Sequence, residues 1–286
     1  MYYWDKVHIS TVFNLLQGAI ISGTLNHMSE VSLQPGILDV AQPVDIEIED
    51  MLKAGVHLGH AKSKNHPAMQ PYIFGVRNTI SLIDLTRTKE KLYEALDFVK
   101  NVVSRGGMVL LVGTRPAARK IILEIAEKTR MPYFVERWIG GTLTNFKVIT
   151  KRVEYMETLE KEKISGDFEK YTKKERMKKE EEIVRLNKIF NGLRVLKRLP
   201  DAVFIVDINE DSTAVREARR MKIPIVALCD TNSNADLVNR PIPSNDDALP
   251  AVKYMVGRIG DAIEEGQREV VKSEEKKEEA GSIQKD

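Results

Sequence analysis

Blocks of apolar residues alternate with amphipathic stretches along this chain, and the alternation predicts strands and helices in turn. Continuous apolar runs typical of buried strands stand at residues 108–112, 202–206 and 223–229. Residues 86–104 and 116–129 carry apolar side chains three and four positions apart, which predicts helices. The pattern therefore predicts an α/β fold, a parallel sheet with helices on both faces.

Residues 144–198 interrupt this alternation with two helical patterns separated by a break at residues 164–168. Thr172 and Glu175 form a capping-box pattern that opens the second helix. Two helices of similar length joined by a short break predict an antiparallel hairpin inserted into the sheet domain. Residues 173–198 hold ten Lys or Arg against four Glu, a local charge of +6. Such a surface could neutralise phosphates or could simply be solvated.

The two ends of the chain differ from the rest. Residues 1–44 are predicted to be a weakly ordered extension, or to reflect a mis-assigned start codon, with Met28 as the true start. Residues 265–286 are rich in Lys and Glu, which predicts a disordered tail. The α/β domain is accordingly predicted to comprise residues 45–143 and 199–264.

Composition narrows the class of protein only a little. Lys and Arg number 44 against 42 Asp and Glu, a formal net charge of +2, so any nucleic-acid surface must be local. The single cysteine, Cys229, excludes an internal disulfide and fits a reducing compartment. No apolar run reaches the roughly 18 residues of a membrane span, so no membrane partner is expected.

The stretch from Glu136 to Lys147 concentrates groups that suit a phosphate-rich partner. Gly140 and Gly141 allow backbone conformations closed to other residues and leave peptide N–H groups accessible. Short donors, cations and aromatic rings surround them: Arg137, Trp138, Thr142, Thr144, Asn145, Phe146 and Lys147. Two interpretations are open, an RNA contact or a tight turn whose aromatic side chains belong to the core.

A second candidate segment lies earlier in the chain. Tyr72 and Phe74 stand close to Arg77 and Asn78, a mixture of rings and polar groups that can hold unpaired nucleotides. The same residues could instead form an edge strand that packs inward. The sequence alone leaves both open.

His57 and His60, with His66 nearby, raise the question of a metal site. No cysteine or further histidine offers a fourth ligand, and the His-Glu-x-x-His pattern is absent. We therefore predict no metal here and interpret the histidines as structural or RNA-contacting.

Enzymatic chemistry has little support in the sequence. Asp84, Asp207 and Asp230 follow predicted strands and could gather at one edge of the sheet, but no nucleophile–base pair stands out. Gly113 and Thr114 follow a strand without completing a glycine-rich phosphate loop. No catalytic residue and no cofactor is predicted, and a Rossmann-like enzyme acting on a nucleotide or sugar phosphate is the alternative function.

Five ordered blocks of the sequence resemble the bacterial and organellar small-subunit ribosomal protein S-two family. They are Gly-Val-His-Leu-Gly-His from residue 55, Pro-Tyr-Ile-Phe-Gly-Val-Arg-Asn from 71, Trp-Ile-Gly-Gly-Thr-Leu-Thr-Asn-Phe from 138, Leu-Pro-Asp-Ala-Val-Phe-Ile-Val-Asp from 199 and Ile-Pro-Ser-Asn-Asp-Asp-Ala from 242. The likeness extends from about residue 46 to residue 263. Residues 61–66 and 233–235 depart from the family pattern.

The resemblance implies a flavodoxin-like (Rossmann-like) sheet with an inserted, protruding antiparallel coiled-coil hairpin. It implies a non-catalytic constituent of the small (30S) ribosomal subunit that binds small-subunit ribosomal RNA. Other small-subunit proteins are implied as partners, including the OB-repeat protein S-one, whose docking the family supports. The implied location is the ribosome, in the cytoplasm or in an organelle's stroma or matrix.

The resemblance and the two candidate segments together give a predicted RNA-binding set. It consists of His60, Arg77, Asn78, Arg137, Trp138, Gly140, Gly141, Thr142, Thr144, Asn145, Phe146 and Lys147.

Overall fold

The computed structural model describes the backbone of residues 46–283 and the side chains of residues 46–271. Its strands are β1 (Leu58–Ala61), β2 (Ile73–Arg77), β3 (Ile80–Ile83), β4 (Val109–Val112), β5 (Tyr133–Phe134), β6 (Ala202–Ile205), β7 (Ile225–Cys229) and β8 (Arg240–Pro243). Its α-helices are α1 (Ile48–Lys53), α2 (Leu85–Ser104), α3 (Pro116–Thr129), α4 (Phe146–Ile164), α5 (Lys173–Phe190), α6 (Ser212–Arg220) and α7 (Leu249–Ile283). The extension predicted for residues 1–44 lies outside the described residues.

Five strands form a parallel sheet in the order β5-β4-β6-β7-β8, and β1, β3 and β2 form a separate antiparallel sheet. Counted along the chain, the parallel strands have the order 2-1-3-4-5, which is the flavodoxin-like order. The predicted fold class is confirmed for the sheet. The order reverses between β4 and β6, and the crevice at their carboxyl ends is where such sheets usually bind ligands.

The parallel strands are apolar throughout because both faces of the sheet are covered. All four residues of β4 are buried. Leu110 and Val112 join a core cluster with α4, α5 and α6, whereas Val109 and Leu111 join a second cluster with α2, α3 and α7. Side chains of a strand point alternately to opposite faces, so helices lie on both faces, as predicted.

The apolar runs that predict strands end at residue 229 and do not include β8. β8 instead extends the parallel sheet, with Pro241 opposite Ala227 and Pro243 opposite Cys229. Proline cannot donate to a hydrogen-bond ladder, but it is tolerated at the edge of a sheet. β8 accordingly forms one edge of the parallel sheet.

The two predicted helices of the insertion are present as α4 and α5. Met156, Leu159, Ile183 and Leu186 are buried where the helices pack together. The Thr172 N–H donates to the Glu175 carboxylate at 2.9 Å, so the predicted capping box is confirmed. That this hairpin is a protruding coiled coil stays a prediction.

The charged tail was predicted to begin at residue 265, and this boundary is wrong because α7 continues as a helix to Ile283. Lys100 Nζ lies 3.5 Å from Glu265 and 2.9 Å from Glu269. Gln267 donates to the Thr129 carbonyl at 2.6 Å. These contacts tie the helix to α2 and to the end of α3. Within the described residues, no helix has both the length and the apolar character needed to cross a membrane.

Candidate nucleic-acid interface

The loop between β5 and α4 is organised around one buried carboxylate, that of Glu217 on α6. Glu217 is 7% exposed and accepts five hydrogen bonds from the loop. The donors are the Gly141 N–H at 2.7 Å, the Leu143 N–H at 3.0 Å, the Thr144 N–H and hydroxyl at 3.1 Å each, and Trp138 Nε1 at 3.2 Å. Of the two glycine N–H groups that the sequence suggested for an external anion, that of Gly141 therefore binds an internal one.

Two residues of the predicted set, Trp138 and Thr142, belong to the interior. Trp138 is 8% exposed, and its ring lies 5.0 Å from that of Phe134. The Thr142 hydroxyl is buried and donates to the Ile139 carbonyl at 2.6 Å. Phe146 is half-buried against the same core. These three side chains hold the loop in place and leave little ring surface for a nucleotide.

Arg137, Gly140, Thr144 and Asn145 are exposed on the same loop, and Lys147 is exposed on the first turn of α4. The two cations, Arg137 and Lys147, form no ion pair with any residue that the structure describes. Gly141 has a φ of +94°, a conformation that favours glycine, and its N–H is the closest of the Glu217 donors. The buried Glu217 carboxylate thus fixes the loop, and the exposed cations Arg137 and Lys147 lie on the solvent side of this segment.

Arg77 and Asn78 lie at the tip of the β2–β3 hairpin, where both are exposed. Asn78 and Thr79 have φ values of +49° and +67°, the positive values that a two-residue hairpin turn requires. Phe74 on β2 is 78% exposed, so the alternative in which this segment packs its aromatic ring inward is excluded for that residue.

His60 lies between two acidic side chains instead of projecting from the surface. Its Nδ1 is 3.1 Å from Asp230, and its Nε2 is 3.2 Å from Asp247. Its backbone N–H donates to the Thr231 hydroxyl at 2.9 Å, which joins β1 to the loop after β7. A Cβ on Gly59 would come within 2.5 Å of Thr231, so only glycine fits this close approach.

His60, Asp230 and Asp247 also form a group that could hold a metal ion, because one ligand atom from each lies within 4.8 Å of the others. Histidine nitrogen and carboxylate oxygen are ligands suited to a divalent cation such as Zn²⁺. The sequence interpretation missed this group because it considered histidine and cysteine neighbours alone. The available signal was Asp230, a strand-end aspartate.

The strand-end aspartates gather only in part. Asp207 and Asp230 both lie near Asp246, whereas Asp84 caps α2 by accepting from the Thr86 N–H at 2.9 Å. Arg115 bridges Asp207 and Asp247. Burial, reinforced by the charges of Asp207 and Asp230, raises the pKa of Asp246 to about 8. This edge therefore holds more carboxyl groups than cations to balance them.

Replacement of Glu217 by Gln should lower the free energy of unfolding by about 2–4 kcal/mol, because the amide would turn a donor toward N–H groups. Burial acts to raise the pKa of Glu217, but the hydrogen bonds from Gly141, Thr144, Trp138 and Leu143 together hold it below 4.5. The stabilisation is therefore present above pH 4.5 and is lost as the pH falls through the folded-state value.

Urea denaturation at pH 7 and at pH 3.5 measures this effect. Glu181→Gln, at an exposed position of α5, is the control and should change stability little. Equal stability of Glu217→Gln and the parent at pH 7 would contradict the role given to this carboxylate.

Asp211 offers a second test, in which removal of a carboxylate should raise the free energy of unfolding instead of lowering it. Burial, with a smaller contribution from the charges of Asp207 and Glu210, raises its pKa to about 6 despite the hydrogen bond from Thr114. Ionised Asp211 thus destabilises the fold increasingly from pH 4 to 6 and constantly above that range.

Asp211→Asn keeps the acceptor for Thr114 and should raise the free energy of unfolding by about 1–3 kcal/mol at pH 7.5. Little change is expected at pH 4. Thermal denaturation across this range measures the difference, and exposed Asp236→Asn is the control. A gain that did not depend on pH would show that ionisation of Asp211 is not its cause.

Comparison with known proteins matches residues 51–266 to the family model of ribosomal protein S2. The chain is 45% identical over 220 residues to small ribosomal subunit protein uS2 of Dehalococcoides mccartyi, covering 77% of this chain and 90% of that one. It is 44% identical over 221 residues to the protein of the same name from Thermus thermophilus, covering 77% and 86%. With the Chloroflexus aurantiacus protein of that name it shares 44% identity over 235 residues, 82% of this chain and 99% of the other. The chain belongs to the ribosomal protein S2 family.

Proposed function

We propose that this chain is a structural constituent of the small ribosomal subunit that binds small-subunit ribosomal RNA and supports docking of the OB-repeat protein S-one. The observation that carries the proposal is the family match, which includes both candidate segments. The family is structural and non-enzymatic, so the alternative of a Rossmann-like enzyme is set aside. The proposed location is the ribosome of the cytoplasm, or of an organelle's stroma or matrix.

RNA binding is supported by three exposed cations, Arg77, Arg137 and Lys147, which form no ion pair with the described residues. The loop that carries Arg137 and leads into the first turn of α4, where Lys147 lies, is fixed by Glu217, so little ordering would be needed when RNA binds. Asn78, Gly140, Thr144 and Asn145 supply exposed polar groups beside the cations. His60, Trp138, Gly141, Thr142 and Phe146 are proposed to position these contacts from within.

The hairpin offers further positive charge, although less than its composition suggests. Lys179, Arg185 and Lys188 lie within 4.0 Å of glutamates, so part of the local excess is neutralised internally. The first turns of α5 keep exposed cations without an ion pair in the described part of the chain: Lys173, Lys174, Arg176 and Lys178. We infer that phosphate contacts of the hairpin concentrate at this end.

Protein docking is supported by an apolar patch on β2. Phe74 and Val76, two positions apart on this strand, are 78% and 46% exposed. β2 is the edge of its sheet, so its backbone is available for a partner, and an exposed aromatic ring is a common anchor. We infer that a protein partner, with S-one the candidate, contacts this patch.

Charge reversal should distinguish the RNA surface from the rest of the molecule. Arg77→Glu and Lys147→Glu should each weaken binding to a small-subunit ribosomal RNA transcript. The slope of log affinity against log salt should also fall by about 1 for each phosphate that the variant no longer binds. Filter binding at several salt concentrations measures both quantities. Lys253→Glu, an exposed charge reversal on α7, is the control. The proposed surface would be overturned if RNA affinity did not depend on salt, or if all three variants weakened RNA binding equally.

Phe74→Ser should weaken capture of S-one by about tenfold while leaving RNA affinity unchanged, because the ring is an exposed anchor outside the core. The measurement is binding of purified S-one to small subunits reconstituted with each variant. Ile164→Ser, which removes an 86% exposed apolar side chain from the hairpin, is the control. Normal capture by Phe74→Ser would exclude this patch.

A further inference from the structure

A cavity of about 650 Å³ opens at the reversal point of the parallel sheet. The turn after β4, the loop after β5 and the start of α6 enclose it. Its lining residues are Thr114, Arg119, Arg137, Trp138, Gly140, Glu210, Asp211 and Thr213. The volume is that of a pocket for a molecule of nucleotide size.

The accessible charge of this cavity is mainly positive. Arg119 is partly exposed, and its Nε donates to the Thr114 carbonyl at 2.8 Å, which fixes the guanidinium. Arg137 is exposed and has no ion pair among the described residues. Glu136 lies 3.7 Å from Arg119 and offsets its charge only in part.

The acidic groups are less available to a ligand than the arginines. Asp211 is 3% exposed, with one carboxyl oxygen accepting from the Thr114 hydroxyl at 3.0 Å and the other out of reach of solvent. Glu210 is the exposed acid of the lining. The exposed charges of the lining are thus two guanidinium groups and one carboxylate, and the buried Asp211 carboxylate, ionised above pH 6, offsets part of the positive charge.

Neutral donors stand beside the two arginines. The N–H of exposed Gly140 makes no hydrogen bond with the described residues. The Thr213 oxygen accepts from Arg216 at 3.3 Å, so its own proton is free to be donated. Arginine, peptide N–H and hydroxyl groups together are the usual partners of phosphate oxygens.

We propose that this cavity binds the phosphate of a single nucleotide, with Arg119 and Arg137 as its cations and Gly140 and Thr213 as neutral donors. The nucleotide is either free or displayed by the RNA, and for the RNA source the proposal rests on the proposed function. Arg119 and Thr213 are new binding residues. Unlike the surface contacts proposed for Arg77 and Lys147, this site requires a nucleotide to enter a cavity.

Intrinsic fluorescence of the full chain tests the free-nucleotide source. The chain has two tryptophans, so Trp4→Phe leaves Trp138, at the cavity wall, as the reporter. Titration with AMP should change the Trp138 emission until the site is saturated, and adenosine should not compete with AMP. Arg119→Ala should weaken AMP at least tenfold, and Arg119→Lys, which keeps the charge without the fork, should weaken it less. Arg105→Ala removes an exposed cation near the amino end of β4 and should have no effect.

The RNA source is tested by filter binding of a small-subunit ribosomal RNA transcript to the same variants. Arg119→Ala should lower the slope of log affinity against log salt by about 1. Thermal denaturation verifies that each variant is folded, and Thr213→Val supplies a second, milder variant.

The outcomes separate this proposal from the proposed function. Saturable AMP binding that depends on Arg119 supports the cavity for free nucleotides. A changed RNA slope without AMP binding supports RNA as the source. The phosphate site is overturned if neither effect is observed, or if adenosine competes as well as AMP does. In that case loss of RNA binding in Arg77→Glu would still support the proposed function, because Arg77 does not line the cavity.

Discussion

Burial of the Glu217 carboxylate is the constraint on which the candidate interface depends. A buried charge is costly unless hydrogen bonds replace its water, and the loop supplies five. The same hydrogen bonds also satisfy the N–H groups of the loop, which would otherwise lack an acceptor. It joins α6 to the segment between β5 and α4. The positions of Arg137, Gly140 and Lys147 follow from it.

Internal pairing of charge recurs across the carboxyl edge of the sheet. His60 is held by Asp230 and Asp247, and Arg115 by Asp207 and Asp247. In the hairpin, Arg194 lies 2.7 Å from Glu160, and this contact, assisted by Asn187, keeps the pKa of Glu160 low against the opposing effect of burial. The net charge of +2 is therefore the sum over two kinds of charged side chain, those in ion pairs and those without a partner of opposite charge among the described residues. The pairs named here join segments distant in sequence, whereas cations such as Arg137 and Lys147, which form no ion pair with the described residues, remain on the outside.

Features with a local signal could be predicted from the sequence. The apolar runs predicted β4, β6 and β7, and Thr172 with Glu175 predicted the start of α5, because periodicity and capping are properties of neighbouring residues. β8 was missed because two prolines in four residues indicate a loop unless the neighbouring strand is known. The helix beyond residue 264 was missed because Lys and Glu composition does not reveal that Lys100 lies opposite. The partners of His60 lie in other segments, and of these only Asp230 had a signal in the sequence, as a strand-end aspartate.

The loop at Gly140 and Gly141 shows how a motif can have the right chemistry and the wrong partner. Adjacent glycines beside hydroxyl residues do make a cradle of N–H donors for an anion, as the sequence suggested. The fold supplies that anion itself, from Glu217, so most of the cradle cannot also bind a phosphate. What remains for an external partner is the outer side: the Gly140 N–H, and guanidinium and ammonium groups whose positions the cradle has fixed. Such contacts act mainly through charge, which gives affinity without base selectivity. Selectivity for a particular nucleotide requires a concave site large enough for a base, and in the described part of the chain the cavity beside Arg119 has a volume of that order.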